Sequence, residues 1–265
     1  MRVKMRIVWT LLVLAVLAGC ELASSKDPII VPEVEDEFYI DLWEELDAPA
    51  GRALTVKIES IKNEKCLNYR IDNYFSRTGN RLKISINNII EPSDCAPGEA
   101  SVKADVDAGS LPFDTYDFDI DFKGLVVNDG YLSVNNESYV LNMESEHGIV
   151  LVRDELLRVR DNTIWGYITY NNGSDENLAN NFINDLQSIS KTLSSQRAGY
   201  YGHFTISPLD GRVFVHQQPT TSFIKTFLYQ YDGTDNILKD LVATYRQNHG
   251  NKITIKLLNS KGKEF

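Results

Sequence analysis

Between Phe38 and Leu141 apolar and polar residues alternate in short runs. A period of two admits little but β-strands, each turning one face to a core and the other to water. Leu54, Val56 and Ile58 share a face, as do Leu82, Ile84 and Ile86, then Val102, Ala104 and Val106, then Tyr116, Phe118, Ile120 and Phe122. Ser76 to Asn80 with Gly79, and Asn128-Asp129-Gly130, lie between such runs. They read as hairpin turns, because Gly and Asn accept the positive φ of a tight connection. About seven strands at this spacing predict a two-sheet sandwich over residues 38–146.

After residues 142–148 the period changes. Leu178, Ala179, Phe182, Ile183, Leu186 and Ile189 form one helical stripe, with Ser174 or Asp175 placed to cap it. Ile237, Leu238, Leu241, Val242 and Tyr245 form a second, between Thr234 or Asp235 and Gly250. Strand patterns surround them at residues 163–170, 199–206, 213–216, 223–231 and 252–258. The predicted order over residues 147–265 is β-α-β-β-β-α-β, and without the short hairpin at Val213 it is a split βαβ arrangement. Two resemblances follow. The N-terminal layout, with Gly109 to Pro112 ahead of a Tyr-rich strand, is similar to immunoglobulin-like or fibronectin-like modules of bacterial surface proteins. The C-terminal order is similar to ferredoxin-like α+β domains. Both imply architecture and neither implies an activity.

The first residues carry an address. Arg2, Lys4 and Arg6 precede an apolar run from Ile7 to Leu17. The run is too short to span a bilayer and suits the apolar region of an export signal. It ends in Leu17-Ala18-Gly19-Cys20, which resembles the lipobox of bacterial lipoproteins. The resemblance implies a signal peptide over 1–19, cleavage before Cys20, and acylation of that cysteine, palmitate included. Each buried methylene contributes about 0.8 kcal/mol, so several acyl chains hold a protein to a membrane without a transmembrane helix. In enteric-type lipoproteins an Asp after the modified Cys retains the protein at the inner membrane. Here that position is Glu21, so the expected residence is the outer membrane or cell surface. Residues 20–37, polar, acidic and stiffened by Pro28 and Pro32, read as a tether.

The chain has 27 Lys and Arg against 37 Asp and Glu, a net charge of −10. Removing Arg2, Lys4 and Arg6 with the signal takes this to −10 − 3 = −13. Phosphate backbones and anionic headgroups want clustered cations, so nucleic acid is not an expected partner. Cys66 and Cys95 remain, and an exported chain meets oxidising conditions. If a hairpin turns near Thr78 and Gly79, Cys66 lies across from Glu91, a short loop from Cys95. The pair is expected to form a disulfide worth roughly 3 kcal/mol in the chain-entropy model. CxxC spacing and a neighbouring His, the marks of redox or zinc chemistry, are missing.

Asp117, Asp119 and Asp121 alternate with apolar residues and share a sheet face that Asp105 and Asp107 could extend. Carboxylates two apart on a strand are too spread to wrap one Ca²⁺, and Arg81, Lys83 and Lys103 are at hand, so a solvated face is expected. His203 and His216 fall near one another if Asp210-Gly211 is a turn, but two ligands do not make a metal site. There is no G-x-S-x-G elbow, and paired carboxylates cannot be placed for glycosidase work. A hydrolase with unplaced carboxylates remains only an alternative. In the strand from Thr163, Ile164, Gly166 and Ile168 are assigned to the helices, which sends Trp165 and Tyr167 to the other face with Tyr201 and His203. RNA-binding domains of this topology stack bases on such a face, but no RNP-like motif is present. The face is expected either to bind a protein or glycan partner or to be covered by the N-terminal domain. Taken together the chain reads as a non-catalytic, surface-anchored lipoprotein without cofactor or metal, acting as a binding or structural module. A glycan-binding accessory lipoprotein of an uptake system is the alternative.

Overall fold

The computed structural model describes residues 34–49, 51–193 and 196–265. The signal peptide expected over 1–19, Cys20 and the expected tether up to Glu33 lie outside the described residues. The fold is β-rich, and its first half is two sheets over one core. One sheet has the order β5-β2-β1-β9, from β1 (Phe38–Glu45), β2 (Ala53–Cys66), β5 (Pro97–Gly109) and β9 (Ile149–Leu151). The other has the order β10-β8-β7-β6-β4-β3, from β3 (Arg70–Thr78), β4 (Arg81–Ile90), β6 (Asp114–Phe122), β7 (Val126–Val134), β8 (Ser138–Met143) and β10 (Glu155–Leu157). The alternation is realised as read: Ile40 opposes Ile58 and Leu42 opposes Val56 on one sheet. All four bury against Leu82, Ile84, Phe118 and Ile120 of the other. Each such side chain taken fully from water contributes about 1.5–3 kcal/mol before chain entropy is counted.

Two pairings are parallel, β1 with β9 and β4 with β6. Parallel neighbours cannot be joined by a tight turn, and here the chain leaves for the opposite sheet between them, through β5 in the second case. β9 and β10 join the sandwich sheets although they lie beyond the boundary expected at 146/147, so the two sheets take in this later segment. The hydrophobic pattern could not place it, since three-residue strands are too short to show a period. Cys66 and Cys95 are disulfide-bonded, with Cα atoms 5.4 Å apart, as the hairpin argument expects.

The C-terminal part has a four-stranded antiparallel sheet of order β12-β16-β11-β17, built from β11 (Thr163–Tyr170), β12 (Lys191–Thr192), β16 (Ile224–Gln230) and β17 (Ile253–Asn259). The helices α1 (Glu176–Ser188) and α2 (Asp235–His249) cover one face. Ile164 and Ile168 bury there with Ala179, Phe182 and Leu186 of α1 and Leu238 and Val242 of α2. Gly166 lies between them, and a Cβ on it would collide with the Lys256 carbonyl oxygen and come within 2.9 Å of the Phe227 ring. The helix caps differ from expectation. Neither Asp175 nor Thr234 makes a side-chain cap bond, and Asn172 instead accepts from the Ser174 amide in the turn before α1. Gly250 ends α2 with φ −61°, without a left-handed turn.

Residues 199–206 are not one strand. β13 (Gly199–Tyr200) and β14 (Phe204–Ile206) form a tight hairpin through Gly202 at φ +78°, and β15 (Val213–Val215) completes a three-stranded sheet. A run of Tyr-Tyr-Gly-His-Phe hides the turn, because aromatics of high strand propensity flank the single glycine that makes it. Among the described residues no helix is long and apolar enough to cross a membrane.

Candidate functional site

The end of β1 joins the sandwich to the C-terminal part. Inward positions of β1 run Phe38, Ile40, Leu42, and the next in phase is Glu44, a carboxylate at a core position and 0% exposed. Burying a lone charge is prohibitive, so the surroundings must supply its partners. Oε1 accepts from Arg158 Nε at 2.9 Å and from the Tyr139 hydroxyl at 3.2 Å. Oε2 accepts from the Val159 amide at 3.2 Å, with Arg52 Nη1 at 3.6 Å. Burial first, and then the negative charge of Glu44, hold the Tyr139 hydroxyl well above its ordinary range. Arg52 reaches further, to the carbonyl oxygens of Val159 and Ser260 and to Asp161. Glu44 and its arginines thus tie the sandwich to both ends of the C-terminal part. Sequence reasoning missed Glu44, although the signal was there: a charge in phase with Phe38, Ile40, Leu42 and Leu46.

Over this cluster opens a groove of about 720 Å³, with Arg52, Arg158, Arg160, Phe113 and Asn136 among its walls. The Arg158 guanidinium stands 5.0 Å from the Tyr139 ring centroid and 5.4 Å from that of Phe113. The loop bearing Phe113 is pinned by the Tyr116 hydroxyl, which donates to the Pro112 carbonyl at 2.8 Å.

On the other side of Glu44 lies the aromatic set singled out in the sequence. Trp165 and Tyr201 are 1% and 3% exposed, so the sheet face opposite the helices is covered and does not present them as an open binding face. Trp165 packs on Phe204 and His203, and Tyr201 stacks on Phe204 and donates from its hydroxyl to the Arg197 carbonyl. Tyr167 is half-buried beside them. The register of β11 is as expected; what closes the face is the β13–β15 sheet and the outer surface of β1. His203 Nε2 donates to the Glu44 carbonyl at 2.9 Å, and its ring lies 4.4 Å from Trp43 and 5.7 Å from Trp165. Burial is the main cause that holds its pKa below the ordinary 6.5, and nearby His216 acts in the same direction. His216 is likewise lowered by burial, pairs with Thr205 at 2.9 Å and stacks on Tyr200, over which lies the Arg153 guanidinium.

The acidic ladder is engaged by the cations named for it: Asp119 by Arg81 at 2.6 Å and Asp121 by Lys83 at 2.8 Å. Lys103 serves Glu59 instead. Among the described residues no three His, Cys, Asp or Glu are grouped to hold a metal ion. No protein-family model, curated protein or solved structure matches the chain.

Proposed function

We propose that this chain is an exported lipoprotein, anchored at the outer membrane or cell surface through acylated Cys20, that works as a non-catalytic binding or structural module. The observation that carries the reading is the run of Arg2, Lys4 and Arg6, an apolar stretch and Leu17-Ala18-Gly19-Cys20. The Cys66–Cys95 disulfide supports it, since such bonds persist in oxidising compartments. In finer terms we read the sandwich as immunoglobulin-like in its layers. The Tyr116 to Pro112 bond, placed like a tyrosine corner, favours this, while the parallel β1/β9 and β4/β6 pairs depart from the usual all-antiparallel pattern. We read the C-terminal part as ferredoxin-like with β13–β15 inserted, because its sheet order is that of a split βαβ unit. The test is metabolic labelling with palmitate and membrane fractionation of the wild-type chain and Cys20→Ala. The expected outcome is label and membrane partition in the wild type only. Equal labelling or equal detergent partition of the two would overturn the reading.

A further inference from the structure

The groove above Glu44 brings three guanidinium groups, Arg52, Arg158 and Arg160, together with the acids Glu137 and Asp161. Arg52 and Arg158 share one buried carboxylate, so two positive charges meet one negative charge beneath the floor. Arg52's second acid, Asp161, has a side chain 92% exposed and is heavily screened by water. Arg160, with contacts of its own, adds a third guanidinium to the wall. Arg158 uses Nε on Glu44 and Nη1 on the Asn135 carbonyl, while Nη2 makes no bond among the described residues. Its side chain is only 13% exposed, and it is fixed between two rings and a carboxylate. A guanidinium held this way presents Nη2 already oriented, which lowers the entropy cost of donating a charge-assisted hydrogen bond to a carboxylate.

The rest of the lining completes a recognisable chemistry. Phe113 is 64% exposed at the rim, a large apolar ring that the fold holds in water instead of burying. One face of a sugar ring is apolar and packs on such an aromatic. Asn136 and Ser110 supply amide and hydroxyl groups for hydroxyls. We infer that this groove binds an acidic saccharide unit, its carboxylate directed to Arg158 and its ring resting on Phe113. The inference rests on reading the chain as an exported binding module, and it names the ligand class of that module.

Two lining residues give variants that remove no hydrogen bond or ion pair of the Glu44 carboxylate, although Phe113 is one of the two rings beside Arg158. Phe113→Ala removes the platform, and Glu137→Gln removes an acid that opposes the ligand. The experiment applies the lipid-bearing protein in detergent to an array of uronic- and sialic-acid oligosaccharides beside their neutral counterparts. The expected result is retention on acidic saccharides, weakened by salt and reduced about tenfold in Phe113→Ala. Glu137→Gln should bind about two- to fivefold more tightly, a gain that a purely structural role would not produce. No preference for acidic over neutral saccharides, or retention indifferent to both substitutions, overturns the assignment. If inorganic phosphate raises the melting temperature while no acidic saccharide is retained, the groove is a bare anion site and the saccharide assignment falls. Palmitate labelling reads Cys20 and the array reads the groove, so either can fail alone.

Discussion

Acidification should loosen the seam between the sandwich and the C-terminal part, and His203 is the group through which it acts. The imidazole sits under Trp43 and Trp165 with its Nε2 proton committed to the Glu44 carbonyl. A second proton would place a charge where burial already holds the pKa below 6.5. The unfolded chain therefore takes up that proton first as pH falls. Unfolding stability declines below the unfolded value and keeps declining until the folded pKa is passed. Each histidine titrating only in the unfolded state contributes a slope of about 1.4 kcal/mol per pH unit in that window. His216, lowered in the same direction but half-exposed, adds a smaller part. Glu45, raised by burial and by Asp47, acts with the opposite sign, so the measurement is centred on the ordinary histidine range, between about pH 7.5 and 5.5. The assay is urea unfolding followed by tryptophan fluorescence. Beyond Cys20 the chain has two tryptophans, Trp43 and Trp165, and both touch His203. His203→Gln can keep the amide donor for the Glu44 carbonyl and cannot titrate, so it should remove most of the slope while leaving that of His216. An unchanged slope in the variant, or wild-type stability that rises toward acid, would refute the reasoning.

Two further substitutions probe the framework. Arg158→Met takes from the buried Glu44 carboxylate its hydrogen-bonded cation, leaving Arg52 at 3.6 Å with the Tyr139 hydroxyl and the Val159 amide, and should cost about 3–5 kcal/mol by urea unfolding, whereas pairing it with Glu44→Leu should recover a good part of the loss. Gly166→Ala drives a methyl into the backbone of β17 and should separate that strand from β11 or abolish folding, read by backbone amide exchange over Ile253–Asn259.

The fold was legible where side-chain periodicity was long. β2, β4 and β6 show alternation over enough residues to fix which face is inside, and α1 and α2 show apolar stripes wide enough to fix theirs. β9, β10 and β12 are two or three residues long, and their place depends on the partners they meet. That is why the sandwich was expected to end before β9 and β10. The hairpin at Gly202 was hidden by the aromatics around it, so Tyr201 and His203 were assigned a common strand face that does not exist. The β11 register was right and still did not settle the role of Trp165. Whether a face is covered is a property of the covering element, here β13–β15 and Trp43. Glu44 carried a readable signal, a charge in phase with core positions, but its arginines lie at Arg52 and Arg158 and no local pattern joins them to it.

The parallel pairing of β1 with β9 has a kinetic side. The first strand of the folded part is completed by one of the last strands of the sandwich, and Glu44 waits for residues later still, the Val159 amide and the His203 ring. Contacts of such long sequence separation must absorb the entropy of closing large loops before they return any stability, and topologies built on them fold slowly. A nascent chain lacking residues beyond Leu151 leaves Glu44 without Arg158, a buried charge that resists closure of the core at that end. The same carboxylate that locks the finished molecule thus delays premature collapse. For the exported lipoprotein proposed above, this order of events leaves time to pass a membrane pore before folding.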